Sequence, residues 1–555
     1  MNTFRLLRFF LPLQNPAGFD LIDFIELGLA IAGIAAVLWW ARTEALARRI
    51  AEKPWWSMAL LFVLPILLRL LLLRRHPVPT PQVSDDFSYL LLGDTLAHFR
   101  LANPVHPMHR FFETVFVLQE PAYSSIYPLG QGIALAFGQV LFAVPWAGIV
   151  LSVGIFCALC YWMLRGWVRP VWALAGGLLA AMEFGPLNQW INNYWGGAIS
   201  AAAGCLVFGA LPRLWRSART RDAALLGAGL GLQILTRPFE SVLLVLCILP
   251  VIGPALQWRL VRAMLLAIIP ALGLMLVHDK AVTGGWSTLP YVLSRYQYGV
   301  PATFTFQKMP EPHRALTEEQ KLDYQAQLDV HGDGRETLGK YLRRLGGRLR
   351  FFRFFFLAPL YAALLFFVPS LRERRYTWAA GSVLVFVLGT NFYPYYYPHY
   401  IAAVTCLFVL ISVAGLERIK RTSGDAARIV ALLCIAHFGF WYALHLFGND
   451  DFFIATGPYE SWDYVNFGDK EGRQAIDKRL ADAAGKQLVF VRYSPRHLLR
   501  EWVRNAADID ASRVVWALDL GPEEDARLIA YYPDRTAWVA EPDTWPPRLT
   551  RYSGK

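Results

Sequence analysis

Charged residues are scarce in this sequence. Asp, Glu, Lys and Arg make up only 17% of its 555 residues, whereas 55% of the residues are hydrophobic. A soluble protein of this size carries about 25% charged residues. The composition therefore excludes an ordinary soluble globular protein. Repeated apolar runs of roughly 17 to 20 residues predict a polytopic α-helical membrane protein instead.

Cysteine and the common catalytic motifs are also rare or missing. The six cysteines all lie inside apolar runs, so the sequence predicts neither a disulfide framework nor a cysteine metal site. It contains no Walker A motif, zinc-protease helix motif, solenoid repeat or low-complexity segment. The formal charge of +12 comes from short Arg clusters between apolar runs, which indicates membrane topology and not nucleic-acid binding.

The apolar runs predict about twelve transmembrane helices, with ends good to a few residues. One further apolar segment, 128–143, has an ambiguous position. The twelve predicted spans are 22–41, 57–74, 146–164, 171–185, 196–211, 222–236, 239–256, 260–278, 352–369, 376–391, 399–416 and 427–447.

The basic clusters decide how segment 128–143 is interpreted. Arg-rich connectors belong on the cytoplasmic side of a membrane protein, and all six fall there if 128–143 does not cross the bilayer. If it did cross, every later connector would face outward. We therefore expect 128–143 to lie on the outer face, as a juxtamembrane helix. The same parity places 75–145, 186–195, 279–351 and the tail from 448 outside.

The tail is predicted to be a small soluble α/β domain, so the chain divides into a membrane domain, 1–447, and an outer domain, 448–555. Strands that alternate with helices are typical of a parallel sheet. The tail has no Gly-rich phosphate loop, which favours a structural or acceptor-positioning role. Predicted strands cover 486–493, 512–520 and 535–542, and predicted helices cover 495–505 and 522–532.

An acidic pair, Asp85-Asp86, follows the second predicted span. A carboxylate at the end of a membrane helix is costly to desolvate, so it usually faces water or a cavity. On the pair alone, a catalytic site and a helix-capping pair both remain open. Further along the same loop, Tyr127-Pro128 opens the ambiguous segment 128–143.

The chain thus has an acidic pair in its first large outer loop and a Tyr-Pro motif at the start of the next apolar segment. This arrangement resembles the GT-C superfamily of membrane glycosyltransferases. The similarity is to the protein O-mannosyltransferase and aminoarabinose-transferase branch, which is glycosyltransferase family 39-like. It covers roughly residues 57–450, and Leu129 stands where a second Pro is common. The resemblance implies a GT-C-like fold with outer juxtamembrane helices.

The resemblance also implies site residues. Asp85, Asp86 and Glu183 are the candidate catalytic carboxylates, and the same three are candidate ligands of a divalent cation. Arg237 is a candidate phosphate contact because its fork matches phosphate geometry, although it could simply pair with Glu240. The amides and aromatics near 190 suit either sugar binding or an interfacial aromatic belt. The substrate-binding candidates are Tyr127, Asn192, Asn193, Tyr194, Arg237, Glu240, His278, Tyr397 and His399.

The implied function is transfer of a sugar from a polyprenyl-phosphate donor to a lipid, glycan or protein acceptor. The expected location is a bacterial inner membrane, with the active site and the tail in the periplasm. One Asp would act as general base. No cofactor is certain; a divalent cation is the candidate. The expected partners are the lipid-linked donor, the acceptor and the bilayer, with no nucleic acid. A multi-pass transporter, a lipid-linked-oligosaccharide polymerase or ligase, and a non-catalytic scaffold remain open alternatives.

Overall fold

Long apolar helices make up most of the chain. The computed structural model describes residues 42–253, 257–448, 472–495 and 500–553, together with the isolated positions 28, 31–33, 35, 460, 462 and 497. Proline stands in the first turn of several helices, where its missing N–H costs nothing. The helices of the first half are α1 (Arg42–Ala51), α2 (Pro54–Leu71), α3 (Ser84–Ala97), α4 (Leu129–Phe142), α5 (Pro145–Leu164), α6 (Pro170–Glu183), α7 (Gln189–Asn192), α8 (Ala198–Ser217), α9 (Thr220–Thr236), α10 (Pro238–Ile248) and α11 (Trp258–Thr283).

The second half begins with polar helices and returns to apolar ones. Two helices near the chain end belong to the tail. The helices are α12 (Pro290–Tyr298), α13 (Glu318–His331), α14 (Leu338–Arg348), α15 (Leu360–Phe367), α16 (Arg374–Thr390), α17 (Thr405–Thr422), α18 (Gly424–Phe447), α19 (Arg473–Asp482) and α20 (Pro522–Tyr531).

The apolar helices are those of a polytopic membrane protein. Within the described ranges, six are long and apolar enough to cross a bilayer, and a seventh span results if the segments Leu338–Phe355 and Leu360–Arg372, bent by 113°, are counted as one. Each predicted span from 57–74 onward lies mainly on helical segments, but 352–369 is interrupted before Leu360 and the helix in 239–256 ends at Ile248. Residues 254–256 lie outside the described part of the chain. Span 22–41 falls almost wholly outside the described residues. The count of twelve stays a prediction.

Helix α4 corresponds to the ambiguous segment 128–143. Its 14 residues span about 21 Å, which is less than the roughly 30 Å of a hydrocarbon core. The helix folds back on α5 through Ala143, whose φ of 57° is left-handed. A side chain at Gly148 would meet the Ala134 carbonyl oxygen at 1.7 Å, so Gly148 permits this close packing. The length of α4 favours a helix that does not cross.

The tail contains a four-stranded sheet in the order β4-β3-β5-β6, built from β3 (Lys486–Val491), β4 (Val514–Leu518), β5 (Arg535–Glu541) and β6 (Arg548–Arg551). The pairs β3–β4 and β3–β5 are parallel, as predicted, and β6 is an additional antiparallel strand. The only other sheet of the described residues pairs β1 (Val117–Leu118) with β2 (Ser124–Ser125). The boundary between 447 and 448 stays a prediction.

The predicted helix over 495–505 is wrong where the structure describes it, at residues 500–505. The Tyr493 hydroxyl accepts the backbone N–H groups of Trp502 and Val503 at 2.9 and 3.3 Å. Val503 also donates to the Glu501 carboxylate at 2.9 Å. Side chains thus bind the N–H groups that a helix would have used.

One face of the tail sheet packs on the loop that carries the acidic pair. Leu488, Phe490 and Val515 share a buried cluster with Leu91 and Phe111. Burial of this apolar surface fixes the tail domain beside α3. The acidic pair therefore lies between the helical bundle and the sheet.

Candidate active site

Asp85 and Asp86 occupy the first turn of α3, where carboxylates interact favourably with the helix dipole. Their side chains have different partners. Asp86 is buried and accepts three backbone N–H groups, from Gln82 at 3.0 Å, Val83 at 3.4 Å and Tyr194 at 3.2 Å. Asp85 instead accepts the Tyr127 hydroxyl. Asp86 therefore positions the backbone, and Asp85 is the carboxylate that faces the other predicted site residues.

Two glycines let α3 lie directly on α4. A side chain at Gly93 would meet the Leu135 Cβ at 2.6 Å, and one at Gly132 would meet the Leu92 Cγ at 2.4 Å. A Cβ at a third glycine, Gly130, would lie 2.2 Å from the Thr236 hydroxyl oxygen. Because Thr236 precedes Arg237, this contact brings Arg237 to the side of α3 that carries Asp85.

Asp85 lies in a pocket of aromatic rings and one cation. The Tyr127 ring, whose hydroxyl it accepts, stacks on Tyr89 with 4.1 Å between centroids. Burial raises the pKa of the Asp85 carboxyl, while the Tyr127 hydrogen bond and the Arg237 charge oppose this rise. Tyr127 and Arg237 therefore both favour the ionised form of Asp85, which is the form that a general base needs.

Arg237 lies between α9 and α10 and makes two contacts. Its Nη1 is 3.3 Å from Glu240 Oε1, so the ion pair considered for the sequence does form. Its guanidinium carbon lies 4.9 Å from the centroid of the Tyr400 ring. The Arg237 charge also acts on the Asp85 carboxyl. Arg237 therefore belongs to the same site as Asp85.

An aromatic wall adjoins these residues. The Trp195 ring meets Tyr397 at 5.0 Å and His399 at 5.5 Å between centroids, and Tyr397 lies nearly parallel to His399 at 5.6 Å. Tyr397 is 39% exposed. Burial raises the pKa of Tyr397, and the Asp85 charge adds to this rise, so the wall is within electrostatic range of Asp85. An exposed tyrosine ring beside a carboxylate suits the apolar face of a sugar.

The polar side chains of the loop around residue 190, considered for sugar binding, contact other groups of the protein. Asn192 is 1% exposed; its oxygen accepts Arg69 Nε at 2.9 Å, and its Nδ2 donates to the carbonyls of Pro186 and Asn188. The Asn193 oxygen accepts the Gly196 N–H at 3.3 Å, and the Tyr194 hydroxyl donates to the Pro79 carbonyl at 2.8 Å. Their polar groups bind the protein itself, so Asn192, Asn193 and Tyr194 build the scaffold that holds Asp86.

Glu183 is not brought to Asp85 by any contact of the described residues. It ends α6, is buried, and lies within electrostatic range of Tyr361 and Cys434. In the described part of the chain, no group of three or more His, Cys, Asp or Glu side chains is arranged to hold a metal ion. Asp85, Asp86 and Glu183 are thus not grouped there as ligands of one ion, and the candidate cation stays a prediction.

His278 lies behind the site. It is 2% exposed in the last turns of α11 and lines a narrow gap with Pro128, Pro238 and Tyr291. Pro128 and Pro238 directly follow Tyr127 and Arg237. His278 thus packs against the backbone that carries two site residues and does not face the aromatic wall.

One carboxylate near Asp85 was not predicted. Asp323 on α13 is 4% exposed, and the charge of Asp85 acts on it. The helix begins with a Thr317–Gln320 capping box. Its polar sequence indicates a solvent-exposed helix, so the only available signal was the four-residue spacing of Glu319, Asp323 and Gln327, which places all three on one face.

A cavity lies on the side of α3 opposite Asp85. It has a volume of about 440 Å³ and is lined by Phe87, Leu90, Leu91 and Asp94 of α3, together with tail residues such as Trp516. Its lining residues do not include Asp85, Asp86, Glu183, Arg237 or His399. This cavity is therefore separate from the predicted site residues.

No family model matches the sequence, and no curated protein matches it. Solved structures similar to this fold include ArnT from Cupriavidus metallidurans in the apo state, with 13% identity over 87% of this chain and 92% of that chain and a TM-score of 0.49. The archaeal oligosaccharyltransferase AglB from Archaeoglobus fulgidus, in complex with an inhibitory peptide and a dolichol-phosphate, has 12% identity over 87% of this chain and 69% of that chain, with a TM-score of 0.41. The A. fulgidus oligosaccharyltransferase tethered to an acceptor peptide gives 12% identity, 88% and 69% coverage and a TM-score of 0.42.

These matches concern overall architecture at low identity and TM-scores below 0.5, so they carry no argument about family, donor, acceptor or reaction. The chemistry of the site is derived from its own residues.

Proposed function

We propose that this protein transfers a sugar from a polyprenyl-phosphate donor to an acceptor hydroxyl. The observation that carries the proposal is the convergence of Asp85, Tyr127 and Arg237, which come from three distant parts of the chain. A carboxylate beside a guanidinium supplies the two charges that this reaction needs. The carboxylate takes a proton from the acceptor, and the cation stabilises the phosphate leaving group.

Asp85 is the proposed general base. As the acceptor oxygen forms a bond to the anomeric carbon of the sugar, its proton passes to Asp85, and the bond from that carbon to the phosphate oxygen breaks. The Tyr127 hydroxyl holds one carboxylate oxygen, which leaves the other to face the acceptor. Asp86 does not take part in this step, because its two oxygens bind backbone N–H groups.

Arg237 is the proposed phosphate contact. Its pairing with Glu240 through one nitrogen at 3.3 Å fixes the guanidinium plane, and a planar guanidinium can bind phosphate through its remaining N–H groups. Of the three carboxylates considered as cation ligands, only Asp85 is in the site. We therefore assign charge neutralisation at the phosphate to Arg237.

The donor's tail needs an apolar path that starts at the phosphate. Helix α10 begins directly after Arg237, and Val242, Leu246 and Leu249 form one of its faces at helical spacing. Their exposed fractions are 54%, 49% and 57%. This apolar face continues for about 18 Å from Arg237 at 1.5 Å per residue. A lipid-linked phosphate fits such a site because its head is polar and its tail is not.

The rest of the proposal concerns location and acceptor. We place the site and the tail domain on the outer, periplasmic face of an inner membrane, in keeping with the positions of the basic connectors. There the sugar arrives already activated on its lipid carrier. The acceptor is a lipid, glycan or protein that carries a hydroxyl group.

Donor consumption by the purified full-length protein in proteoliposomes tests this function. We expect at least one polyprenyl-phosphate sugar to be cleaved, with release of the polyprenyl phosphate, when acceptor extracts are present. Uptake of solute into the vesicles without donor cleavage would instead indicate the transporter alternative. Transfer only from polyprenyl-diphosphate oligosaccharides would indicate the polymerase or ligase.

A further inference from the structure

Asp323 is a buried carboxyl that the proposed reaction has not yet used. One of its oxygens accepts Gln327 Nε2 at 2.7 Å. The other, Oδ1, is buried and has no hydrogen-bond partner among the described residues. A buried ionised carboxylate without a donor is costly, so the geometry favours a proton on this oxygen.

Gln327 holds the Asp323 side chain in place. Its Nε2 donates to Asp323, while its Oε1 accepts the Ala302 N–H at 2.8 Å. Both ends of the amide are thus bound, and the amide cannot turn away from Asp323. The free oxygen of Asp323 therefore keeps a defined position on the face of α13 that carries Glu319 and Gln327.

Asp323 lies beside the site. The Asp85 charge acts on Asp323, and the Asp323 charge in turn acts on Tyr395. Tyr395 follows Tyr393 in the loop that leads to Tyr397, and its hydroxyl reaches the Ala326 carbonyl of α13 at 3.5 Å. Through this contact, the helix that carries Asp323 is attached to the loop that carries the aromatic wall.

The two carboxyls have opposite surroundings. Asp85 has the Tyr127 hydroxyl and the Arg237 charge, which favour its ionised form. Asp323 accepts one amide donor, Gln327. Glu319 lies one helical turn away from it, and the Glu319 carboxyl faces Glu501 of the tail. Burial raises the pKa of Asp323 to about 7, and the Asp85 charge adds to this rise. Two nearby carboxyls whose surroundings separate their proton affinities are typical of an acid–base pair.

We infer that Asp323 is the second acid–base group of the site, which donates a proton to the donor's phosphate oxygen while Asp85 takes one from the acceptor. This inference rests on the proposed function. The sugar–phosphate bond breaks, the leaving oxygen takes the Asp323 proton, and the acceptor proton ends on Asp85. Transfer of that proton from Asp85 to Asp323 restores the starting state, so the acceptor's proton leaves with the polyprenyl phosphate and no other reactant is needed.

The test compares Asp323→Asn with wild type in proteoliposomes supplied with the polyprenyl-phosphate sugar that wild type cleaves. An Asn oxygen can still accept from Gln327, so the helix contact is kept. We expect kcat to fall about 100-fold, the usual scale for an acid–base group, with the KM for the donor little changed. Asp329→Asn on the same helix, where Asp329 accepts Gln325 at 2.7 Å, is the matched control and should keep the wild-type rate.

The pH profile separates an acid from a merely structural residue. Wild-type kcat should fall as the pH rises past about 7, because Asp323 loses its proton. Asp323→Asn should lack this alkaline decline, and Asp323→Glu, which keeps a carboxyl, should retain it. A low kcat with the alkaline decline intact in Asp323→Asn would overturn the acid role, as would a wild-type rate and profile.

Failure of the function and failure of this inference give different results. If wild type cleaves no polyprenyl-phosphate sugar, the proposed function is wrong and Asp323 loses its role with it. If wild type cleaves the donor and Asp323→Asn does so equally well at every pH, only the inference is wrong. Equal thermal unfolding of the two proteins in detergent shows that the comparison concerns chemistry and not folding.

Discussion

Replacing Asp86 by Ala tests whether the acidic pair is divided into one structural and one catalytic residue. The change removes the acceptor of three backbone N–H groups. A buried donor left without a partner costs about 1–3 kcal/mol. The Tyr194 N–H is buried and bears this cost in full, whereas water can reach the half-buried Gln82 and Val83. We expect a loss of about 2–5 kcal/mol in the free energy of unfolding.

The pH dependence of that loss has a defined sign. Burial raises the pKa of Asp86 from 3.8 to about 6 in the folded protein, so folding favours the protonated carboxyl. Its contribution to stability is complete below the unfolded pKa and is lost as the pH rises through the folded one. The destabilisation caused by Asp86→Ala should therefore be largest in acid and should shrink between pH 3.8 and about 6.

Thermal unfolding of purified protein in detergent, followed across this pH range, measures the effect. Asp85→Asn is the matched control, because Asp85 accepts a side-chain hydroxyl and an Asn oxygen can still accept it. The control should unfold close to the wild-type temperature. If Asp86→Ala unfolds like wild type and Asp85→Asn does not, the division of roles is wrong.

Three other changes test the remaining parts of the site. Arg237→Gln should raise the KM for the donor about 10-fold or more, since a charge-assisted phosphate contact stabilises by about 1.5–3 kcal/mol, and a KM equal to wild type would exclude phosphate contact. Tyr127→Phe removes the hydrogen bond that opposes the raised pKa of Asp85. The acid limb of the pH profile of kcat should therefore move to higher pH. An unmoved limb would show that Tyr127 does not lower the pKa of Asp85. Treatment with a chelator should leave donor cleavage within about two-fold of the untreated rate, as expected when Arg237 neutralises the phosphate, and a metal-dependent loss of activity would contradict that assignment.

The helical part of the fold was largely readable from the sequence. Apolar runs place the spans because a helix in lipid must satisfy its own backbone, and most of the described residues of the predicted spans from 57–74 onward lie on helical segments. The tail strands 486–493 and 512–520 were readable from their β-branched and aromatic residues. The helix expected over 495–505 is absent at its described residues 500–505, where Tyr493 and Glu501 bind N–H groups, and such contacts leave no pattern in the sequence.

The site was only partly readable. The positions of Asp85, Tyr127 and Arg237 followed from motifs and charge. The roles of Asp85 and Asp86 could not be separated, since neighbouring carboxylates on a helix differ only in what the folded chain places around them. Asn192 was predicted to contact the sugar because the sequence does not show whether an amide side chain binds backbone or substrate. Asp323 was hidden in a polar segment whose burial depends on the tail domain and the loop at 392–398.

The rate of sugar transfer by Asp85→Asn tests directly whether Asp85 is the general base. The measurement uses full-length protein in proteoliposomes, the donor that wild type cleaves, and Asp333→Asn as control, whose side chain is 58% exposed and pairs with Lys340. We expect that Asp85→Asn unfolds like wild type but loses transfer by a factor of about 100 or more, whereas the control keeps its rate. Full transfer by folded Asp85→Asn would contradict the assignment of the general base and, with it, the proposed site.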